Sequence, residues 1–98
     1  MPRLIWSEAS LRDIDEIDEF LIDENPPAAA RISRAIRATV RRLLDYPRVG
    51  RALNENFRVL GVRTTPYLII YRLRDSNVEI VRVRHGRENW LAEIEGPL

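Results

Sequence analysis

The chain has 98 residues, a length that suits one domain with a single hydrophobic core. It contains no cysteine and one histidine, which excludes disulfides, thiolate metal sites, cysteine nucleophiles and any site that needs two imidazoles. The longest apolar run, Tyr67–Tyr71, is far shorter than the roughly 20 residues of a membrane-spanning helix. No signal peptide is visible at the start. We therefore expect one domain over residues 1–98, cytoplasmic, without a metal, a cofactor or membrane contact.

Charge is divided unevenly along the chain, although the formal net charge is only +1. Residues 1–24 hold eight acids and two arginines, residues 25–63 hold nine arginines and two acids, and the remaining residues balance. This division predicts one acidic and one basic face, and a basic face favours an anionic partner. All sixteen cations are arginine. Either a GC-rich coding sequence or a surface built for bidentate contacts to phosphate or carboxylate explains that preference.

The first half of the chain predicts a short strand followed by two helices. Arg3–Trp6 suits a strand, and Ser7 or Ser10 offers the N-cap of the first helix. The predicted buried stripe of this helix consists of Leu11, Ile14, Ile17 and Leu21. The acids predicted to lie off the stripe are Asp13, Asp15, Glu16 and Glu19, with Asp18 at its rim or paired with an arginine.

The second helix is predicted to begin after Asn25 and to end at Pro47. Asn25 acts as its cap, and Pro26–Pro27 lies in its first turn. Its predicted inward positions are Ile32, Ile36, Val40, Leu43 and Leu44. Its arginines lie mostly around the other sides, so the two helices form a hairpin with an acidic first arm and a basic second arm.

Beyond Gly50 the apolar period changes to two, which is typical of strands. We predict strands over residues 57–63, 67–74 and 78–84, with a short helix over residues 87–94. Tyr67 and Tyr71, four residues apart in one strand, are placed on the same face. The element order predicts an α+β fold, in which an N-terminal strand and a helical hairpin pack on a small antiparallel sheet.

Several short motifs occur in a characteristic order along nearly the whole chain. They are Trp6-Ser-Glu-Ala9, Asn25-Pro26, Leu44-Asp-Tyr-Pro47 with Gly50-Arg51, Gly61-Val-Arg63, Pro66-Tyr67, Tyr71-Arg72, and His85-Gly86-Arg87 with Trp90. Together they resemble the ParE/RelE superfamily, the toxins of bacterial type II toxin–antitoxin systems. The resemblance implies a RelE/ParE-like fold, a cognate antitoxin (ParD-like or similar) as partner, and contact with operator DNA only through that antitoxin.

The superfamily divides by target, so the resemblance implies two alternative activities. ParE-like members poison DNA gyrase by binding, whereas RelE-like members are endoribonucleases that cut mRNA on the ribosome. The Asn-Pro start of the second helix, the Pro-x-x-Gly-Arg loop and the His-Gly-Arg-x-x-Trp ending resemble the ParE branch. Gyrase inhibition by binding is therefore our first hypothesis and the nuclease is the alternative. A third is a relative that has lost its poison and serves as an antitoxin-binding co-repressor.

RNA cleavage needs a base, cations for the developing phosphorane and an acid for the leaving oxygen. The candidate nuclease residues are His85, Arg63, Arg87 and Tyr67, with Arg82 or Arg84 as further cations and Glu55 as the acid. RelE-like nucleases usually add lysines, or a Glu–His pair with a tyrosine close to the C-terminus. This chain has no lysine and its last tyrosine is Tyr71. We favour the structural interpretation of His85, a strand-end residue hydrogen-bonded to backbone.

A toxin that acts by binding needs a surface for its target and another for its antitoxin. The target-binding candidates are Arg84, His85, Arg87 and Trp90, because arginine and tryptophan often dominate interface energies. The antitoxin-binding candidates in the basic stretch are Arg34, Arg41, Arg51 and Arg63. We expect an apolar groove that an antitoxin segment fills. The alternative interpretation is structural: the basic helix is a solvated face, and Trp90 packs on the sheet.

Overall fold

The computed structural model describes the backbone of residues 2–95 and the side chains of residues 2–92. Its elements in chain order are β1 (Leu4–Trp6), α1 (Glu8–Glu24), α2 (Pro26–Asp45), β2 (Arg51–Ala52), β3 (Arg58–Gly61), β4 (Tyr67–Arg74), β5 (Asn77–His85) and α3 (Trp90–Glu95). This order confirms the predicted α+β fold and adds the short strand β2, which the sequence analysis did not predict. No helix within the described range is long and apolar enough to cross a membrane.

The five strands form one sheet in the order β1-β5-β4-β3-β2. Strand β1 runs parallel to β5, and the other neighbours are antiparallel. Because β1 pairs with β5 only along Val78–Ile80, the rest of β5 lies beyond the end of that ladder. Opposite β4 the register shifts by one residue at Val81, since Ile70 faces Arg82 whereas Tyr71 faces Ile80. We call the segment Val81–His85 the β5 edge.

The two long helices are joined by a single residue that ends one and begins the other. The Asn25 backbone N–H donates to the Leu21 carbonyl at 2.7 Å, and the Asn25 side chain accepts from the Ala28 N–H at 3.3 Å. Pro26 follows in the first turn, where its missing N–H costs no intrahelical bond. The result is an antiparallel hairpin whose second helix buries Ala29, Ile32, Ile36, Val40 and Leu43, with Leu44 half-buried. The predicted stripe of α2 is confirmed.

The predicted stripe of α1 was wrong at two positions. Leu11 is 49% exposed, whereas Asp13, placed off the stripe from the sequence, is only 4% exposed. The inward face instead comprises Ser10, Asp13, Ile14, Ile17 and Leu21. The helix presents this face because Asp13 finds charged and amide partners at the β5 edge, which the spacing of apolar residues cannot show.

A buried tyrosine fixes the turn after α2. The Tyr71 hydroxyl donates to the Pro47 carbonyl at 2.8 Å and accepts from the Gly50 N–H at 2.9 Å. A Cβ atom at Gly50 would lie 2.5 Å from that hydroxyl and 2.9 Å from the Val59 carbonyl, so the position requires glycine. Burial is the main cause that raises the pKa of Tyr71 above 10.0. The Pro-x-x-Gly part of the loop motif is therefore explained by the fold.

Candidate functional site

The site is organised by Asp13, a carboxylate that α1 buries against the β5 edge. Arg82 binds it with two hydrogen bonds, Nε to Oδ2 at 2.7 Å and Nη2 to Oδ1 at 2.9 Å. The backbone N–H of Val83 also donates to Oδ2, at 3.0 Å. A second guanidinium, that of Arg84, lies 3.6 Å from Oδ1. Two cations and an amide therefore compensate the charge that burial would otherwise penalise.

From Asp13 the ion pairs continue to the turn after β5. Arg84 also pairs with Glu88, four residues on, and its side chain is only 16% exposed. Glu88 accepts a hydrogen bond from the His85 N–H at 2.9 Å. The next turn bond runs from the Arg87 N–H to His85 Nδ1 at 3.1 Å. The turn that leads to α3 is thus connected to the first helix through side chains.

His85 lies in a cleft between α1 and the ends of β4 and β5, with a volume of about 260 Å³. We call it the His85 cleft; it is lined by Asp13, Glu16, Ile17, Phe20, Tyr67, Val83, Arg84, His85 and Glu88. The Tyr67 and His85 rings meet edge to face with centroids 5.4 Å apart. Burial first, and the Glu88 charge second, raise the pKa of Tyr67 above 10.0. The Tyr67 hydroxyl therefore stays protonated at neutral pH.

The hydrogen bonds of His85 favour one tautomer. Because Nδ1 accepts from the Arg87 N–H, the proton of the neutral ring belongs on Nε2. In that form Nε2 donates a proton, whereas a general base at Nε2 would need the other tautomer and would lose this bond. His85 ends β5 and its Nδ1 bonds to a backbone N–H, as the structural interpretation expects, and its role stays a prediction.

The structure brings together only part of the candidate nuclease set. Tyr67 and His85 are cross-strand partners, and Arg87 follows in the turn. Arg63, predicted to end a strand, lies beyond the end of β3 and lines a different groove. Glu55 precedes β3 at the end opposite His85, because the register places even Arg58 four residues, or about 13 Å at about 3.3 Å per residue, from His85 along the sheet. Glu55 as the partner acid of His85 was therefore wrong.

The groove that contains Arg63 runs between α2 and β3. We call it the Arg63 groove; its lining residues are Ala35, Ala38, Thr39, Arg42, Leu60, Gly61 and Arg63. Arg34 and Arg41 are exposed and flank Ala38 at spacings of four and three residues on the helix surface. Arg51 is the cross-strand partner of Val59, so the two side chains share one face of the sheet. Leu60, the next residue in β3, points to the other face, which is the face of the groove. Arg51 therefore lies on the face opposite the groove.

The target-binding candidates occupy one end of the molecule. Arg84 is enclosed by carboxylates, His85 lines its cleft, Arg87 is exposed and Trp90 is half-buried at the start of α3. Two exposed apolar side chains were not among the candidates: Phe20, 59% exposed at the rim of the His85 cleft, and Leu91, next to Trp90.

Sequence reasoning missed Asp13, although two signals for it exist. Asp13 lies one turn from both Ser10 and Ile17 on the helix, directly beside the stripe that Ile14, Ile17 and Leu21 form. Arg82 and Arg84 alternate in a strand, as side chains on one face do. Taken together, these two signals indicate a buried acid that faces two arginines of one strand. Among the residues whose positions are described, no group of three or more His, Cys, Asp or Glu could hold a metal ion.

Comparison with known proteins agrees with this architecture. A family model described as the ParE toxin of the type II toxin–antitoxin system parDE matches residues 4–90. The chain is 36% identical to the putative toxin Y4kP of Sinorhizobium fredii, over 90% of this chain and 92% of that protein. It is 33% identical to toxin RelE2 of Caulobacter vibrioides, over 88% of this chain and 97% of that protein.

Among solved structures, the chain resembles one from the chromosomal ParDE toxin–antitoxin system of P. aeruginosa. The TM-score is 0.76 at 21% identity, over 87% of this chain and 96% of that chain, which supports the fold. The family match, the curated relatives and the shared fold agree with the resemblance seen in the sequence. The chain therefore belongs to the ParE/RelE family of toxins from type II toxin–antitoxin systems.

Proposed function

We propose that this toxin acts by binding a target protein, with DNA gyrase as the target, and that it is neutralised by a ParD-like antitoxin. The main supporting observation is that carboxylates already engage the two strand arginines that precede His85. Arg82 and Arg84 both contact Asp13, and Arg84 also contacts Glu88. A nuclease at this site would need cations available for the charge that develops on phosphorus. Binding requires no such group.

The remaining groups of the His85 cleft also favour binding over cleavage. The His85 Nδ1 bond disfavours the tautomer that a base at Nε2 would use. The raised pKa of Tyr67 makes its hydroxyl a weaker acid. Exposed Phe20 and Arg87, by contrast, are residue types that anchor protein interfaces. Gyrase is the target that the likeness to the ParE branch suggests.

For the antitoxin we propose the Arg63 groove as the docking surface. Its floor combines small and apolar side chains, and Arg42 and Arg63 lie along it. Arg34 and Arg41 extend the positive charge beside it. This combination suits an amphipathic segment with acidic residues on its polar side. The antitoxin is expected to bind there while the His85 cleft faces the target.

The antitoxin surface is tested with the double variant Arg34→Glu/Arg41→Glu and the single control Arg37→Glu. Arg37 is equally exposed on α2 but lies on the side away from the groove. We expect the double variant to slow association with the antitoxin by about tenfold or more at low salt, and the control to change it far less. Equal effects of both variants would contradict docking in the groove.

The mode of action is tested by inducing the toxin in cells that carry separate reporters for DNA damage and for translation. A gyrase poison raises the DNA-damage signal and traps cleaved DNA–gyrase complexes while translation continues at first. The His85→Gln variant, checked for folding by circular dichroism and for antitoxin binding, should keep most of the growth inhibition. A nuclease would instead lose about 10²–10⁴-fold of its rate with its proton-transfer group.

The alternative function, a ribosome-dependent mRNA endonuclease, is favoured by the contact between Tyr67 and His85 and by the relative named RelE2. Rapid mRNA cleavage without DNA damage, abolished by His85→Gln, would replace the gyrase proposal with this one. A folded, antitoxin-binding protein that inhibits no growth would instead indicate a co-repressor.

A further inference from the structure

We propose that Asp13 is the positioning residue for the turn that follows β5, and that it thereby sets the shape of the target-binding end from His85 to Trp90. The part of this inference that concerns the target rests on the proposed function. The part that concerns the turn rests on the geometry of the ion pairs alone.

Ser7, the N-cap of α1, and Asp13 within α1 bond to β5 where its ladder with β1 ends. The Ser7 N–H donates to the Ile80 carbonyl at 3.0 Å, and its hydroxyl donates to the Val81 carbonyl at 2.8 Å. Asp13 then accepts from the Val83 N–H at 3.0 Å. Val81 and Val83 of the β5 edge are thus bonded to the cap of α1 and to α1 itself. On the side of β5 opposite its ladder with β4, Ser7 and Asp13 supply bonds where β1 no longer reaches.

The carboxylate of Asp13 is connected to the turn through one guanidinium, that of Arg84. Arg84 lies between the carboxylates of Asp13 and Glu88, with little room to turn away into solvent. Glu88 in turn accepts the His85 N–H. Of these two carboxylates, only Glu88 is left to pair with Arg84 when the Asp13 charge is removed. We therefore expect the Arg84 side chain and the Glu88 carboxylate to shift together.

The role of Asp13 is to orient the turn, not to form it. The turn has its own backbone bonds, from Gly86 N–H to the Pro66 carbonyl at 2.8 Å and from Glu88 N–H to the His85 carbonyl at 2.9 Å. These bonds form the turn without Asp13. The side-chain pairs fix the orientation of the turn relative to α1. His85 and Glu88 line one wall of the His85 cleft, and Phe20 of α1 lines the other. A binding surface that combines both walls depends on that orientation.

The test uses Asp13→Asn and Glu88→Gln, with Asp15→Asn as the control, because Asp15 is an exposed acid on the same helix. Asparagine preserves the shape of Asp13 and an acceptor for Val83 but removes the charge. Glu88 is exposed, so we expect its variant to fold even if Asp13→Asn does not. The readouts are amide hydrogen exchange by NMR, antitoxin affinity, and inhibition of purified DNA gyrase.

We expect exchange at the His85 and Arg87 amides to accelerate about tenfold or more in both variants, with the Ile69 amide unchanged in Glu88→Gln. Gyrase inhibition should fall about tenfold while the antitoxin Kd changes by less than about threefold. The control should match the wild-type protein. Unchanged exchange at His85 and Arg87 in folded variants would overturn the proposal. If the wild-type protein leaves gyrase active but exchange responds as expected, the proposed function fails and the positioning role stands.

Discussion

Two buried polar groups stabilise opposite margins of this sheet, and they do so by different means. Tyr71 is neutral and bonds only to backbone, at Pro47 and Gly50, some twenty residues away in the chain. Asp13 is charged and bonds to groups about seventy residues away. The tyrosine depends on shape, because its hydroxyl fits a turn that only glycine permits. The carboxylate depends on charge, because burial without cations would be costly. Only the charged contact adjoins the candidate target-binding end.

The largest expected effect comes from removing the charged contact outright. Asp13→Ala leaves two guanidinium groups at the β5 edge without this carboxylate, and breaking a buried pair typically costs about 3–5 kcal/mol of stability. Urea unfolding measures the change. Asp15→Ala, on the exposed side of the same helix, should stay within about 0.5 kcal/mol. A loss at Asp13 no larger than this control would show that its ion pairs contribute nothing net.

The shape dependence of the other margin is tested at Gly50. An alanine there would push its Cβ against the Tyr71 ring and the Val59 carbonyl, so we expect a loss of about 3 kcal/mol, the upper end for overpacking. Gly61→Ala is the matched control, since a Cβ at Gly61 meets no atom within 4 Å. Thermal unfolding of the two variants compares them directly. Equal stability would contradict the steric explanation of the motif.

A smaller effect is expected when only the hydroxyl is removed. Tyr71→Phe keeps the ring but leaves the Gly50 N–H and the Pro47 carbonyl without this partner, which should cost about 2 kcal/mol. Urea unfolding gives the value, and proteolysis near Pro47 should report the loosened turn. Wild-type stability would mean that water replaces the hydroxyl at no cost.

The smallest effect is a dependence on alkaline pH that distinguishes the neutral contact from the charged one. The folded protein raises the pKa of both Tyr71 and Tyr67 above 10.0, so it binds protons that the unfolded chain releases. Their contribution to stability is fully present below pH 10.0 and is lost as the pH rises through the folded-state values. Unfolding free energies across that range should decline less steeply in Tyr71→Phe. Identical slopes would show that Tyr71 does not contribute to the loss of stability at alkaline pH.

The sequence predicted the helices well because their signals are local. Asn25 with two prolines marks a cap, and the inward positions of α2 repeat with helical spacing, so both were confirmed. The strands were predicted in the right order with ends off by a few residues, and β2 was missed because two residues carry no periodic pattern. The resemblance in ordered motifs gave the family, but those motifs mix fold-determining and surface residues.

The candidate site could be predicted only in part. His85 and Tyr67 were both chosen from the sequence, but their contact requires the register of β4 against β5. Glu55 was chosen as the acid but lies at the other end of the sheet from His85, because the direction of a loop relative to a sheet is not encoded in spacing. Arg84 was chosen as a target-binding candidate, and only the structure shows that it lies between two carboxylates.

By itself the sequence determined where α2 begins and ends, which of its residues form the core, the unequal division of charge, and the family of the chain, whereas α3 begins three residues later than predicted. Each of these depends on neighbours within a few positions or on the order of motifs. Only the tertiary structure decided that Asp13 faces inward and that Tyr71 requires Gly50. The physical reason is that a buried polar group is tolerated only where partners from distant segments satisfy it, and those partners are brought there by the fold.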